Sequence, residues 1–586
     1  MQSEKIENRI CQNCKSDFTI DSDDFSFYEK IKVPPPTWCP KCRLQRRLSW
    51  RNEKGLHKIE CRKCGLSTLS IYSKEASYVV FCRSCWWGDD WDAIDFGVDY
   101  NFSLNFFEQW SSLLKKVPLV SLFGKHISII NSNFVNMGFD LKNCYLLTNS
   151  DFNEDCMYGS RIARSKNCLD STFIDKCENC YELVNCRECY NTTYSVDCTS
   201  CLDTHFSKNC TNCSSCIGCV NLRNKSYCIF NKQYSKEEYE KEASKILNSS
   251  FRAKEDVLDE FIKFSLSCPV KFIHDLRNLN VSGDYIYFSK NARESFFIDN
   301  VEDSKYCSIS IQGTKVAQIY DATQFGINAE LLCDVLQVGD QVRKVFYSWF
   351  VLTHCNDVEY SALCTRSSYL FGCIGLKDKS YCIFNKQYSK EDYFVLREKI
   401  IKQMKDIPFI DTLDSKYSYG EFFPIELSPF GYNETTANEY MSLSKSEILK
   451  NKFNWMNPDS RNYQPTIQAE GINDSLIDTP DSILNEVIQC TNKGSVDYCY
   501  TAFKILPNDL TFYKKMNLPL PRYCPACRDR KRLYFKNPMK LWYRQCMCDK
   551  RHANHEEKCN VKFETSYSPD RTEIIYCEKC YQQEIY

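Results

Sequence analysis

Nowhere in its 586 residues does the chain approach 18 uninterrupted apolar positions, so no membrane span is expected. Its first residues, MQSEKIENRI, lack the apolar stretch of a secretory signal. Net charge is absent too, at −1. No global field therefore draws the molecule to nucleic acid or acidic lipid, and any such attraction has to be local. What is present is ample core material: 43% hydrophobic residues with 37 Tyr and 37 Phe, which excludes a disordered chain. The length allows three to five domains. There are also 38 cysteines. Without a secretion signal, close cysteine pairs read as reduced metal ligands before disulfides, and the expected compartment is the cytoplasm.

The cysteines follow two spacing rules. Near the start run Cys11-x2-Cys14, Cys39-x2-Cys42, Cys61-x2-Cys64 and Cys82-x2-Cys85. Two such knuckles satisfy one tetrahedral zinc, each thiolate about 2.3 Å from the ion. The pattern predicts two consecutive zinc ribbons. The far end repeats it. DFSFYEKIKVPPPTWCPKCRLQRRLSWRN (24–52) aligns without a gap to DLTFYKKMNLPLPRYCPACRDRKRLYFKN (509–537). The spacing from Cys14 to Cys39 equals that from Cys499 to Cys524. Cys42 to Cys61 matches Cys527 to Cys546, and Cys64 to Cys82 matches Cys559 to Cys577. Self-alignment thus assigns a third site to Cys490, Cys499, Cys524 and Cys527. A fourth falls to Cys546, Cys559, Cys577 and Cys580. In both, the first knuckle is stretched by an insertion. Cys548, His552 and His555 lie in the second insertion and read as loop residues, with an alternative-ligand role as the second reading. Four cysteines per site leave no open coordination position, so the expected cofactor is structural Zn2+ at four sites.

Each module carries a basic segment, RLQRRLSWRNEK (43–54) and RDRKRLYFKNPMK (528–540). Arg43, Arg46, Arg47, Arg528, Arg530 and Arg532, interleaved with Trp50, Tyr534 and Phe535, are candidate nucleic-acid contacts. The plainer reading is a basic helix face flanking a zinc site. The aromatic stretch 85–114 reads as a packed lid joining the second ribbon to the next domain.

Between residues 144 and 228 lie 14 cysteines whose successive gaps are 12, 9, 6 or 3. Several series recur at 21 residues, including Cys168, Cys189 and Cys210. A repeat of about 20–25 residues with short β segments predicts a parallel β-solenoid. Asn or Asp precedes many of the cysteines, which suits corners in the left-handed conformation. The thiols then read as an inward-facing packed ladder, with further metal binding as the second reading; His205 alone accompanies them. GCVNLRNKSYCIFNKQYSKEEY (218–239) recurs as GCIGLKDKSYCIFNKQYSKEDY (372–393). A second solenoid is therefore expected near 280–388, with most of its cysteines replaced by apolar residues. Ser235 and Ser389 read as the starts of capping helices.

The expected fold is mainly β, with tandem zinc ribbons at both ends flanking two parallel β-solenoids (β-helices) capped by short helices. The expected domains are 1–60 (zinc ribbon), 61–120 (zinc ribbon with aromatic lid), 121–240 (cysteine-ladder solenoid), 241–279 (helical linker), 280–405 (second solenoid), 406–485 (irregular linker) and 486–586 (C-terminal ribbon pair). The motifs PPPTWCPKCRLQRRLSWRNE, CRSCWWGDDWD, GCVNLRNKSYCIFNKQYSKEEY and FETSYSPDRTEIIYCEKCY resemble a family of large cysteine-rich zinc-ribbon hypothetical proteins. That family belongs mostly to bacteria of the candidate phyla (Patescibacteria-like). The resemblance implies zinc at the matching cysteines and a small-genome bacterial source, and it implies no activity; the stretched knuckles depart from its pattern. The leading expectation of function is a non-enzymatic, zinc-stabilised scaffold or binding protein contacting a macromolecular partner, protein or nucleic acid. The alternatives are a nucleic-acid-binding protein using the ribbons and their arginines, and a β-helix enzyme acting on polysaccharide. The last would need paired carboxylates in a cleft, for which Asp151, Glu154, Asp155 and Asp170 are on hand.

Overall fold

Parallel strands that pair with the segment twelve residues further on make up the middle of the chain. A computed structural model describes residues 5–124, 126–310, 316–457, 463–496, 498–553 and 555–585. In its first half Asn136 pairs with Thr148, Tyr145 with Met157, Ser160 with Thr172, Cys168 with Cys180, and Cys216 with Cys228. Isolated bridges such as Val184 to Val196 and Thr199 to Thr211 carry the same step between the strands. The stacking step is therefore 12 residues, shorter than the 20–25 expected from the recurring cysteine series.

The backbone shows how so short a step is achieved. From Met137 to Phe230 every third residue has positive φ; Gly218 is one of them, and the others lie between 46° and 62°. L-residues seldom enter this region, and Asn and Asp enter it most readily. Asn143, Asp155, Asn167, Asn179, Asn185, Asp197, Asn209 and Asn212 each occupy such a position immediately before an inward cysteine. Several are tied to the equivalent residue one step on: the Asn143 amide donates to Asp155 (3.0 Å), Asn185 to Asp197 (2.6 Å) and Asn209 to Asn221 (2.8 Å). These bonds secure strained positions in register.

A second stack runs over residues 283–310 and 316–387 with a looser step. Gly283 pairs with Ser295 and Ser368 with Ser380, twelve apart, whereas Ala317 pairs with Glu330 and Arg343 with Asn356, thirteen apart, and Val301 with Val316, fifteen apart. Its interior is apolar, with Ile319, Leu332, Val345, Val358 and Leu370 buried. Both stacks finish alike. A parallel strand (Ser226–Ile229 or Ser380–Ile383) turns into a short antiparallel one, and a helix follows (Lys236–Ile246 or Lys390–Asp406). Ser235 and Ser389 cap these helices by accepting the N3 amide, and Glu238 completes the box at the first. The aromatic stretch covers the end of the second stack: Phe106 packs edge-on against Phe384, and the Asn385 amide donates to the Ala93 carbonyl (2.9 Å). At the end of the first stack Phe230 meets Phe264 of the Phe251–Ser267 helix.

The protein is mainly β, with cysteine clusters at both ends of the chain. Among the described residues no helix is long and apolar enough to cross a membrane.

Candidate metal centres

Each terminal cluster is built on the same local scaffold. A two-stranded antiparallel hairpin carries the first pair of cysteines in three of them: Glu7–Ile10 with Asp17–Ile20, His57–Glu60 with Ser67–Ser70, and Trp542–Gln545 with Lys562–Thr565. In the third cluster the pair flanks Ile488–Gln489 and Ala502–Phe503. The second pair starts a helix: Cys39 and Cys524 cap Pro40–Leu48 and Pro525–Leu533, Cys82 caps Arg83–Trp87, and Cys577 precedes Glu578–Ile585. Helix N-termini present unsatisfied N–H groups and positive dipole ends, which favour the thiolate over the thiol.

The sulfurs of Cys11, Cys14, Cys39 and Cys42 lie within 4.8 Å of one another, as do those of Cys61, Cys64, Cys82 and Cys85, of Cys490, Cys499, Cys524 and Cys527, and of Cys546, Cys559, Cys577 and Cys580. These are the four groups obtained by aligning the chain with itself. All the cysteines are free thiols. A metal with four sulfurs at about 2.3 Å in a tetrahedron sets them about 3.8 Å apart. Cys14 to Cys39 is 3.7 Å, Cys64 to Cys82 3.9 Å, Cys490 to Cys527 3.9 Å and Cys559 to Cys577 4.0 Å. Spacing and donor chemistry both fit a tetrahedral ion in each cluster.

One hydrogen bond recurs in all four. The amide of the third cysteine donates to the sulfur of the first: Cys39 to Cys11 (3.2 Å), Cys82 to Cys61 (3.2 Å), Cys524 to Cys490 (3.3 Å) and Cys577 to Cys546 (3.2 Å). The first and third clusters share another, from Asn13 to the Cys42 sulfur (3.3 Å) and from Asn492 to the Cys527 sulfur (3.1 Å). Hydrogen bonds from Cys39 and Cys42 hold the Cys11 thiol well below the usual range, and those from Cys524 and Cys527 do the same for Cys490. The stretched knuckles therefore close on the same geometry as the compact ones. Cys548, His555 and Cys580 form a further group within 4.8 Å beside the fourth cluster.

The central ladder differs. Its thiols are buried, and most donate to the carbonyl two residues back and to one on the next step, as Cys168 does to Lys166 (3.3 Å) and Cys177 (3.5 Å). Serines at inward positions serve the backbone equally: the Ser165 hydroxyl accepts from the Cys177 amide (3.1 Å) and the Cys186 sulfur from the Cys198 amide (3.4 Å). Burial pushes the Cys144 thiol, and that of Cys307 in the second stack, up to about 12, whereas hydrogen bonds from neighbouring thiols hold Cys177 and Cys201 below the usual range. Among the described residues no three ladder cysteines form a group of the kind found at the ends.

The basic segments are corrected by the structure. Arg43, Arg46, Arg47, Arg528 and Arg532 are exposed by 5% or less, so they cannot reach a phosphate backbone. They meet carboxylates of the strand stacks and of the 406–485 segment instead. Arg43 pairs with Asp321 (2.9 Å); Arg47 with Asp321 (3.1 Å) and Asp334 (2.8 Å); Arg46 with Asp334 (2.8 Å) and Glu421 (2.7 Å). In the other module Arg528 and Arg532 converge on Asp170 (3.0 and 3.2 Å). Arg530, half-buried, donates to the carbonyls of Asn438 and Glu439 and covers the Tyr498 ring.

The two constellations share their main contacts, although an exposed lysine, Lys531, stands where Arg46 is buried. Arg43 and Arg528 are aligned positions; each lies 5.0 Å from a tyrosine ring, Tyr306 or Tyr158, whose hydroxyl donates to the aligned Asp24 or Asp509. Arg47 and Arg532 are aligned, and each also faces a threonine two residues beyond the shared aspartate, Thr323 or Thr172. The N-terminal module thus docks on the second stack and the C-terminal module on the first. The carboxylates considered for hydrolysis are likewise occupied. Asp170 holds two arginines, Glu154 pairs with Lys142 and Lys166, Asp155 accepts from Asn143, and Asp151 accepts the Phe139 amide.

No family model matches the sequence, and no curated protein matches it. Among solved structures, a chain titled "putative acetyltransferase from Desulfovibrio desulfuricans G20" aligns at 10% identity and a TM-score of 0.09, over 50% of this chain and 74% of that one. A likeness that slight carries no argument about fold or activity.

Proposed function

We propose that the protein is a zinc-stabilised, non-enzymatic scaffold. Four structural zinc ions would hold its terminal modules, and two capped parallel β-solenoids between them would form the body that contacts a macromolecular partner. The observation that carries this reading is the fate of the terminal arginines: each module's basic helix is consumed in clamping a strand stack, so the metal clusters brace a fixed assembly. In the first stack the constant twelve-residue step and the left-handed bend at every third residue support the solenoid reading. Four thiolates per cluster leave a metal no open position for substrate, which supports a structural role. The surfaces left for a partner include apolar residues on and beside the ribbon hairpins, with Ile10, Leu66 and Tyr543 each exposed by 67% or more.

Metal analysis of the purified protein tests the first half: at least four zinc ions per chain, retained through dialysis, are expected, and fewer than four would overturn it. Affinity capture with wild type and with a Leu66→Asp, Tyr543→Asp variant tests the second. A defined partner lost in the folded variant supports the scaffold. Salt-dependent binding of RNA or DNA that survives the variant would contradict the proposed contact surface.

A further inference from the structure

The insertion in the fourth cluster brings more ligand chemistry than four sulfurs require. The chain has seven histidines in all, and two of them, His552 and His555, fall between Cys546 and Cys559 together with Cys548. The insertion in the third cluster, between Cys490 and Cys499, contains neither Cys nor His. Chain lengthening alone therefore does not account for these residues.

Their placement is specific. The Cys548 sulfur, a His555 ring nitrogen and the Cys580 sulfur lie within 4.8 Å of one another, and His555 Nε2 is 3.0 Å from Cys580 Sγ. The other ring nitrogen, Nδ1, meets the carbonyl oxygen of Glu557. A carbonyl can only accept, so Nδ1 carries the hydrogen, and in a neutral imidazole Nε2 is then a bare lone pair. That lone pair points at a sulfur which, as a metal ligand, is an anion. Two electron pairs face each other unless a cation lies between them or Nε2 is itself protonated. Metal-bound histidines commonly donate their second nitrogen to a carbonyl in this way. His552 adds an independent sign. Its side chain is 9% exposed, its Nε2 is buried without a hydrogen-bond partner, 4.0 Å from a Glu584 carboxylate oxygen, and its ring packs edge-on against His555.

We propose that the C-terminal centre holds a second divalent metal ion, bound by Cys548, His555 and a Cys580 thiolate that bridges it to the ion of the four-cysteine cluster. His552 is the side chain on hand for its fourth position. This rests on the four-site reading, since Cys580 belongs to both ions. Electrostatics favour it: an ion with four thiolates carries a net charge of −2, and a second divalent cation that shares one thiolate and brings in that of Cys548 halves it. An open depression of about 690 Å³, lined by Arg551, His552, Ala553, His555, Glu556 and Gln583, lies over the site. The second ion is therefore the more exchangeable one.

The test is metal counting on the full chain loaded with zinc, for wild type and for His555→Ala and Cys548→Ser, with circular dichroism to show that the variants fold. Five ions in wild type and four in each variant are expected, the lost ion being the first released to a chelator. Should wild type and both variants all hold four, His555 merely hydrogen-bonds a thiolate and the proposal is overturned. Fewer than four in wild type would instead sink the four-site reading. Nitrogen-15 spectra of the histidines give a second readout: a doubly protonated His555 in the zinc-loaded protein also overturns the proposal.

Discussion

A cysteine in this protein behaves according to what lies three residues away. In the compact terminal knuckles the neighbour is a second candidate ligand on a tight turn, and both sulfurs point at one place. In the ladder, residues three apart are successive inward positions separated by a left-handed bend, so each sulfur faces backbone carbonyls. The second stack has Ser367 where the repeat alignment places Cys213; its hydroxyl donates to Thr365 as the Cys213 thiol does to Thr211. Cys213→Ser should therefore cost less than about 1 kcal/mol in chemical denaturation, in line with exchange of one buried, hydrogen-bonded group for another, and should leave the metal count unchanged. A pH effect also belongs to this scale. His205 is buried, accepts or donates one hydrogen bond with Thr193, and is held down to about 4 by the loss of solvent around its charged form. A depressed histidine stabilises the fold fully above its unfolded value of about 6.5 and loses that contribution as the pH falls toward 4; at pH 5 the loss is about 2 kcal/mol. The stability difference between wild type and His205→Gln should shift by that amount, against wild type, between pH 7.5 and pH 5.

At the scale of elements, the Pro40–Leu48 and Pro525–Leu533 helices are clamps. Each presents its cysteines at one end and its arginines along a face turned to a strand stack. Burying an ion pair seldom adds net stability, but removing one partner strands the other in a desolvated site at a cost of roughly 3–5 kcal/mol. Arg47→Ala leaves Asp321 with Arg43 and Asp334 with Arg46, and Arg532→Ala leaves Asp170 with Arg528, so both should lower stability by less than that, about 1–3 kcal/mol, and to similar extents. A salt-insensitive loss well under 1 kcal/mol for Arg47→Ala would show that the helix does not dock as described.

For the whole molecule, the modules and stacks depend on different forces. The stacks have long parallel ladders and interior columns, whereas the modules have hairpins of two- or four-residue strands, which the proposed ligation would stabilise. Removing metal with a chelator should open the terminal modules to protease, at residues 5–120 and 486–585, before the strand signal in circular dichroism is lost. Because each module covers the stack of the other half of the chain, separated halves, cut near residue 248, should remain associated while metal is bound.

What could be read without coordinates follows from where the information lies. Metal-ligand spacing is local, and a duplicated module exposes ligands that insertions hide, so sixteen of the seventeen terminal cysteines sort into four groups by comparing the chain with itself. The corner role of Asn and Asp is equally local, since it depends on one residue's own backbone preference. The length of the stacking step is not local. Inward positions recur every third residue, so gaps of 3, 6, 9 and 12 suit several periods, and only hydrogen-bond register selects twelve. The arginines are the plainest case. A basic helix beside a zinc knuckle has the same sequence whether it faces phosphate or carboxylate, and its carboxylates stand in strands hundreds of residues away. Charge pairing after burial is a property of the assembled surfaces, and only the tertiary structure could assign it.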